Sequence, residues 1–416
     1  MKKLLCLLLC AVLLCGAVGC GLVLPVPETQ APTETAEPTQ WVLEDTIEAK
    51  KYEGVELVFL SCWAEDAAQA AVLTQAAEVF EMTTGAAVQI LWSQDFENLI
   101  QTGDIYQLPG GMLQEYADRV LDLTEPAQNA GYGQKSFSAL TDQVISRCGK
   151  LAAIPQVPYL SGFYYNREAF ESCAVAQPPQ TWEQFAAVCA ALDAGGWVPL
   201  TMNSESADDV LMLHLAQYLG AEAALSVARS GGWQDQAGSA VSDLIDLAAA
   251  GYLVRGVPAD YPGGQNRIGL SNAVMIWGTN ELCAQTSEAA LAELDWGVFP
   301  YPGVAGAEPV ISVESDVLAV AAECAQSQAA FEFILLLTTG EFDQLRADLT
   351  CGIPADPNNI SPIRGAVEAL QIAQIVENVP VEFTQSQLDT ILKLWKGAYQ
   401  QAEAFTEAMD ALYSQS

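Results

Sequence analysis

The side chains of this 416-residue chain that could contact or transform a ligand are few. Trp63, followed by Glu65 and Asp66, sets an indole beside short carboxylates. Such a pair can stack on the C–H patches of a ring and accept hydrogen bonds from its hydroxyls. Tyr159 stands two residues before Ser161-Gly162, where a phenol could fold over a bound molecule. Trp277 has Gly278 beside it, which permits close backbone approach, and Asn280 and Glu314 add polar candidates. A hydrolytic site needs other groups. His214 is the only histidine, and its setting in Leu211-Met212-Leu213-His214-Leu215 reads as a core position on a helix. No Gly-x-Ser-x-Gly elbow accompanies it. The His and Cys residues lack metal-ligand spacing, and the abundant acids single out no carboxylate pair for glycoside hydrolysis. The residues therefore predict binding without a chemical step: no catalytic residue, no metal, no cofactor.

Positioning these groups requires a scaffold, and its pattern is α/β. Val55–Leu60 has strand character, Ala67–Met82 carries apolar residues along one helical side, and Gly85 punctuates its end before a second strand at Ala87–Trp92. This β-α-β opening favours a parallel sheet covered by helices. Trp63 then lies just past the first strand, at the sheet edge that α/β proteins offer to ligands. Trp92, Ser93 and Gln94 follow the second strand in the same way. Leu151–Ile154 and Gly162–Tyr165 read as short strands separated by Pro155 and Pro158, and Thr181 with Gln184 has capping-box spacing. Helices are expected near 207–219, 237–250, 329–337 and 388–412, with strands at 296–299 and 317–320. Tyr164, Tyr165, Trp182 and Phe185 read as core. Strands at both ends with helices between them predict two lobes crossed more than once by the chain.

The N-terminus describes an exported protein. Lys2 and Lys3 precede an apolar run, Leu4–Leu14, too short to span a bilayer comfortably. Ala17-Val18-Gly19-Cys20 follows and resembles the bacterial lipobox, whose cysteine is acylated and tethers the protein outside the cell; Ala17 departs from the commoner leucine. Cleavage before Cys20 removes two lysines and no acid, leaving 14 basic against 52 acidic side chains, a formal charge of −38. Such a surface repels phosphate backbones and anionic headgroups, so nucleic-acid binding is excluded. Pro25, Pro27, Pro32 and Pro38 mark a linker over 20–54 that cannot pack a core. Of the seven cysteines after Cys20, none forms a Cys-x-x-Cys pair; they read as free thiols acting as small hydrophobes.

Five segments in order carry a family resemblance: Gly149–Pro155, Phe163–Phe170, Pro178–Phe185, Asn272–Gly278, and Ala330–Glu341 leading to Gly352-Ile353-Pro354. The chain resembles the family 1 extracellular solute-binding proteins, the carbohydrate-type receptors of ATP-binding-cassette (ABC) importers. The resemblance implies a type II periplasmic-binding-protein-like fold whose lobes combine about 55–157 with 303–350 and 158–302 with 351–416. It implies a monomer, anchored to the outer side of the cell membrane, that closes on a small solute and hands it to permease subunits. Trp277 matches the position where that family commonly places a platform for a sugar ring. Thr102-Gly103-Asp104-Ile105-Tyr106 departs from the family's Gly-x-x-Pro-Asp segment, and the stretch before it is shortened. Two alternatives stand beside this reading: an exported glycan hydrolase, and a surface lipoprotein that binds a polysaccharide or protein without transport.

Overall fold

The structure, a computed structural model, describes residues 50–93, 102–201, 206–252, 273–284, 295–372, 374–376, 381 and 383–414. Cys20 and the linker up to residue 49 lie outside these residues. In β1 (Glu56–Ser61), Leu57, Phe59 and Leu60 are buried. The helix Ala68–Thr84 follows, pressing Val72, Ala76, Val79 and Phe80 inward. It stops at Gly85, whose φ of 82° turns its N–H onto the Glu81 carbonyl. A Cβ there would also meet Glu53 Cα at 2.8 Å, so glycine is required for both conformation and space. β2 (Ala87–Trp92) then pairs parallel to β1, and β3 (Ile105–Pro109) pairs parallel on β1's other side.

Two long strands organise the rest. β4 (Ile154–Asn166) runs antiparallel to β8 (Val310–Val320) from Ile154 to Ser161. From Gly162 onward it pairs instead with β6 (Ala273–Gly278) and β7 (Trp296–Phe299). β5 (Val198–Thr201) lies parallel to β6, and β9 (Gln374–Val376) lies parallel to the start of β8. The strand order is β2-β1-β3-β8-β4-β6-β5. Because β4 belongs to both ladders, residues 47–416 form one compact unit. The handover occurs at Gly162, where a Cβ would sit 2.8 Å from Val298 Cγ2 and 2.9 Å from the Phe299 carbonyl oxygen. Only a residue without a side chain lets the strands approach this closely.

Two local expectations are corrected. In place of the short strands read on either side of Pro155 and Pro158 there is one strand, Ile154–Asn166; Leu151, Ala152 and Ala153 precede it without strand structure. The prolines are tolerated because, among the described residues, β4 has a ladder neighbour on one side only over this stretch, and the register shifts between Pro155 and Val157 as a bulge. The single helix expected over 388–412 is two, Gln385–Trp395 and Ala402–Tyr413, separated where Gly397 adopts a φ of 70°. The capping box stands as read, with the Gln184 N–H donating to Thr181 Oγ1 and the Thr181 N–H donating to Gln184 Oε1.

Apolar burial divides between the two ladders. Beside β1, the helices Ser327–Thr338 and Gly340–Thr350 pack on Ala68–Thr84, and Phe333 meets both Phe59 and Phe80. Beside β4–β7, Phe163 lies at the centre of an aromatic group formed with Phe185, Trp277, Phe299 and Tyr301. Tyr164, Tyr165, Trp182 and Phe185 are buried.

Candidate functional site

The polar groups of the candidate site converge on β8, reached from β4 and from the turn after β1, and they do so on a residue that the sequence reading passed over. Asp316, on β8, is 7% exposed. Its Oδ2 accepts a hydrogen bond from Trp63 Nε1 at 3.0 Å and another from the Tyr159 hydroxyl at 2.9 Å. Trp63 enters from the turn after β1, held there by its own N–H donating to Ser61 Oγ. Ser61 Oγ in turn donates to Gln107 Oε1 at 2.5 Å, and Gln107 Nε2 donates to Gln156 Oε1 at 2.6 Å. A buried polar chain thus runs across β1, β3 and β4 and fixes the turn that carries Trp63. Fully satisfied networks of this kind rigidify the site they support.

Burial pushes the Asp316 carboxyl above the ordinary carboxylate range, and Glu281 nearby adds to the effect. The donors Trp63 and Tyr159, together with the Arg346 guanidinium, oppose the rise without cancelling it. Burial raises the Tyr159 phenol as well, with the Asp316 charge next in effect, so Tyr159 stays protonated and able to donate. Cys62, beside Trp63, is pushed up to about 12, chiefly by burial, and remains a thiol. The site therefore presents an indole, a phenol and a desolvated carboxylate held in fixed mutual geometry. Groups of these kinds suit recognition through hydrogen bonds and ring contacts rather than attack on a bond, and the indole itself is 8% exposed.

The other sequence candidates are placed unevenly. Asn280 is buried, and its Oδ1 accepts from the Leu160 N–H at 2.8 Å, one residue along β4 from Tyr159. Glu314 lies opposite Tyr159 in the β4–β8 register and forms a two-pronged ion pair with Arg147 at 2.6 and 3.0 Å. Glu65 is exposed on the turn that follows Trp63. Trp277 is 2% exposed and lies edge-on to Phe163 and Tyr301, with ring centres 5.1 and 5.6 Å away. In that setting it offers no open face to a ligand in this conformation. Trp92 ends β2 and Ser93 follows it, whereas Gln94 lies outside the described residues.

Asp316 carried a signal that could have found it. It lies two residues from Glu314 in the run Val310–Val320, whose other residues are apolar apart from Ser312 and Ser315, so the two acids share one face of a buried strand. His214 is fully buried, with Nδ1 2.8 Å from the Tyr301 hydroxyl. Its Nε2 is 3.4 Å from Asp243 Oδ2, close enough for electrostatic attraction though out of line for a hydrogen bond. Burial lowers the imidazole below its ordinary value despite Asp243, and the ring stays neutral within the core. A separate cavity of ≈ 310 Å³, lined by Tyr165, Arg167, Phe170, Arg364 and Glu368 among others, includes none of the candidate residues.

A model of the bacterial extracellular solute-binding proteins matches residues 50–341. Among solved structures, a chitin oligosaccharide binding protein is 20% identical with a TM-score of 0.59, covering 87% of this chain and 98% of its own. A probable secreted solute-binding lipoprotein from Streptomyces coelicolor is 16% identical with a TM-score of 0.64, covering 86% and 98%. A sugar transporter protein from Bacillus licheniformis in complex with stachyose is 16% identical with a TM-score of 0.55, covering 87% and 100%. Searched against curated proteins, the chain finds no match. These likenesses place the fold as α/β of the two-lobe, periplasmic-binding-protein-like type, as the sequence resemblance implied.

Proposed function

Because the chain belongs to the bacterial extracellular solute-binding protein family, we propose that it captures a sugar or oligosaccharide outside the cell and delivers it to the permease of an ABC importer. In this reading it is a monomeric lipoprotein attached through Cys20, and no chemical step occurs. One lobe combines 55–157 with 303–350 and the other combines 158–302 with 351–416, and β4 and β8 carry the crossings between them. Ligand binding closes the lobes, excludes water and strengthens each enclosed hydrogen bond. The observation that carries the proposal is the convergence of Trp63 and Tyr159 on buried Asp316. It brings an aromatic ring, a phenol and a charged acceptor for hydroxyls to one place. Asn280 and Glu314 hold the crossing around these groups, and Glu65 is the exposed acid nearest the indole in sequence. Trp277 contributes from behind, keeping β6 seated on β4. Support for a carbohydrate ligand comes from the structural relatives, among them a chitin oligosaccharide binding protein and proteins in complex with stachyose and raffinose.

Glu281 lies near enough to Asp316 to raise its carboxyl, and two acids at one site also suit a cation. A thermal-shift screen over oligosaccharides, polyamines and peptides separates the ligand classes. Ligand at 100 times Kd stabilises by about 2.7 kcal/mol through mass action, which raises the melting temperature measurably. A shift with an oligosaccharide is expected. A shift with polyamines or peptides and none across the sugars overturns the carbohydrate assignment.

A further inference from the structure

We infer that Cys283 and Cys351 are a redox-active pair that closes into a disulfide on meeting an oxidised thiol partner, and that this bond fastens the chain at its strand crossing. Cys351 packs against the small apolar cluster that contains Cys283, close enough for each thiol to shift the other. That cluster also holds Leu160, Tyr164 and Ile353. Cys283 is 4% exposed on the helical turn Glu281–Ala284, shortly after β6. Cys351 is half-buried at the C-terminus of the helix Gly340–Thr350. Its φ is +47°, in the left-handed region where such a helix end ordinarily takes glycine, yet glycine comes only at the next position, Gly352. The chain therefore holds a thiol where its backbone favours no side chain, and holds it against a second thiol.

The environment also sets an order of reaction. The Cys283 thiol favours the Cys351 thiolate, and Cys351 is the more accessible of the two. Burial keeps Cys283 protonated. Cys351 thus attacks one sulfur of an external disulfide, whether a small-molecule disulfide or an oxidised dithiol protein. That S–S bond breaks, one external sulfur leaves as a thiol, and a mixed disulfide remains on Cys351. Cys283 then loses its proton and attacks Cys351 Sγ, forming the internal bond and releasing the second external thiol. Two protein thiols are oxidised and one external disulfide is reduced, so the exchange balances.

The consequence for motion rests on the two-lobe reading; the bond itself does not. Cys283 follows β6, whereas Cys351 ends a helix packed against Ala68–Thr84. Both fall in the proposed lobe of 158–302 with 351–416, Cys351 where the chain enters it from the other lobe, so linking them fixes that entry point to the turn after β6. The test exposes the full chain to oxidised glutathione, quenches with an alkylating agent and maps cysteine peptides without reductant. The expected result is a linked pair containing Cys283 and Cys351, both protected from alkylation. In Cys283→Ser, Cys351 should instead retain a glutathione adduct. Alkylation of both thiols after exposure, or linkage of either to a different cysteine, overturns the pairing. The oxidised protein should melt several degrees higher than the reduced one, with the difference abolished by dithiothreitol and absent from Cys283→Ser. An unchanged melting temperature in a sample shown to be linked overturns the fastening role while leaving the carbohydrate screen to judge the function separately.

Discussion

Replacing Trp63 by phenylalanine isolates one hydrogen bond of the candidate site. The substitution keeps an aromatic ring after β1 and removes the N–H that donates to Asp316 Oδ2 at 3.0 Å. Asp316 is too buried for water to replace that donor fully. A hydrogen bond to a charged group contributes about 1.5–3 kcal/mol. The indole is 8% exposed, and exchanging it for a smaller ring forfeits roughly another 1 kcal/mol of apolar burial. Together these give an expected loss of about 2.5–4 kcal/mol at neutral pH. The pH dependence has a definite sign. Asp316 is raised by burial, and losing a donor to its charged form raises it further. The cost of Trp63→Phe is therefore largest above the Asp316 titration, where the carboxylate is charged, and shrinks as acid protonates it. Urea denaturation followed by circular dichroism measures the change as a shift of midpoint at constant slope. Combining the change with Asp316→Asn completes a double-mutant cycle in which the coupling should be on the order of 0.5–2 kcal/mol. A loss below about 0.5 kcal/mol, or no coupling with Asp316, would show that the indole does not donate to this carboxylate in solution.

Further outcomes follow from other contacts. Gly162→Ala places a methyl group against Val298 and the Phe299 carbonyl where the strands hand over, and should cost about 1–3 kcal/mol by denaturation; a neutral result would mean the crossing is looser than its geometry. Trp277→Ala should destabilise by about 3–5 kcal/mol as a buried aromatic. If the folded variant keeps its ligand affinity, the tryptophan has no direct contact role. His214 has its folded value depressed by burial, so the unfolded chain takes up a proton first as pH falls through about 6.5. Stability should be full above that pH and decline below it, by no more than about 1.4 kcal/mol per pH unit from this residue. A His214→Gln variant that declines just as steeply between pH 7.5 and 5.5 would remove His214 as the cause.

Much of the scaffold was legible in local pattern because local physics decides it. The β-α-β opening rests on apolar periodicity and a glycine stop, and the Thr181–Gln184 cap is complete within four residues. Features decided by long-range neighbours were harder to read. Pro155 and Pro158 look like strand breakers until β4 is seen to pair there with β8 on one side alone among the described residues. Trp277 beside Gly278 looks like a platform, but Phe163 and Tyr301 cover it from elsewhere in the chain. Trp63 and Tyr159 could each be nominated from position alone. Their shared partner Asp316 needs the β4–β8 register to be seen, because no spacing in the sequence links residue 63 to residue 316.

The place of β8 also has a consequence for biosynthesis. It lies between β3 and β4 in space but follows β7 along the chain. A growing polypeptide thus delivers most of its strands before the one that joins them exists. Until residues 310–320 emerge, β3 and β4 both present bare hydrogen-bonding edges, and the sheet cannot be completed. Truncation anywhere ahead of Val310 should accordingly yield a self-associating fragment, since the keystone of the arch is laid late.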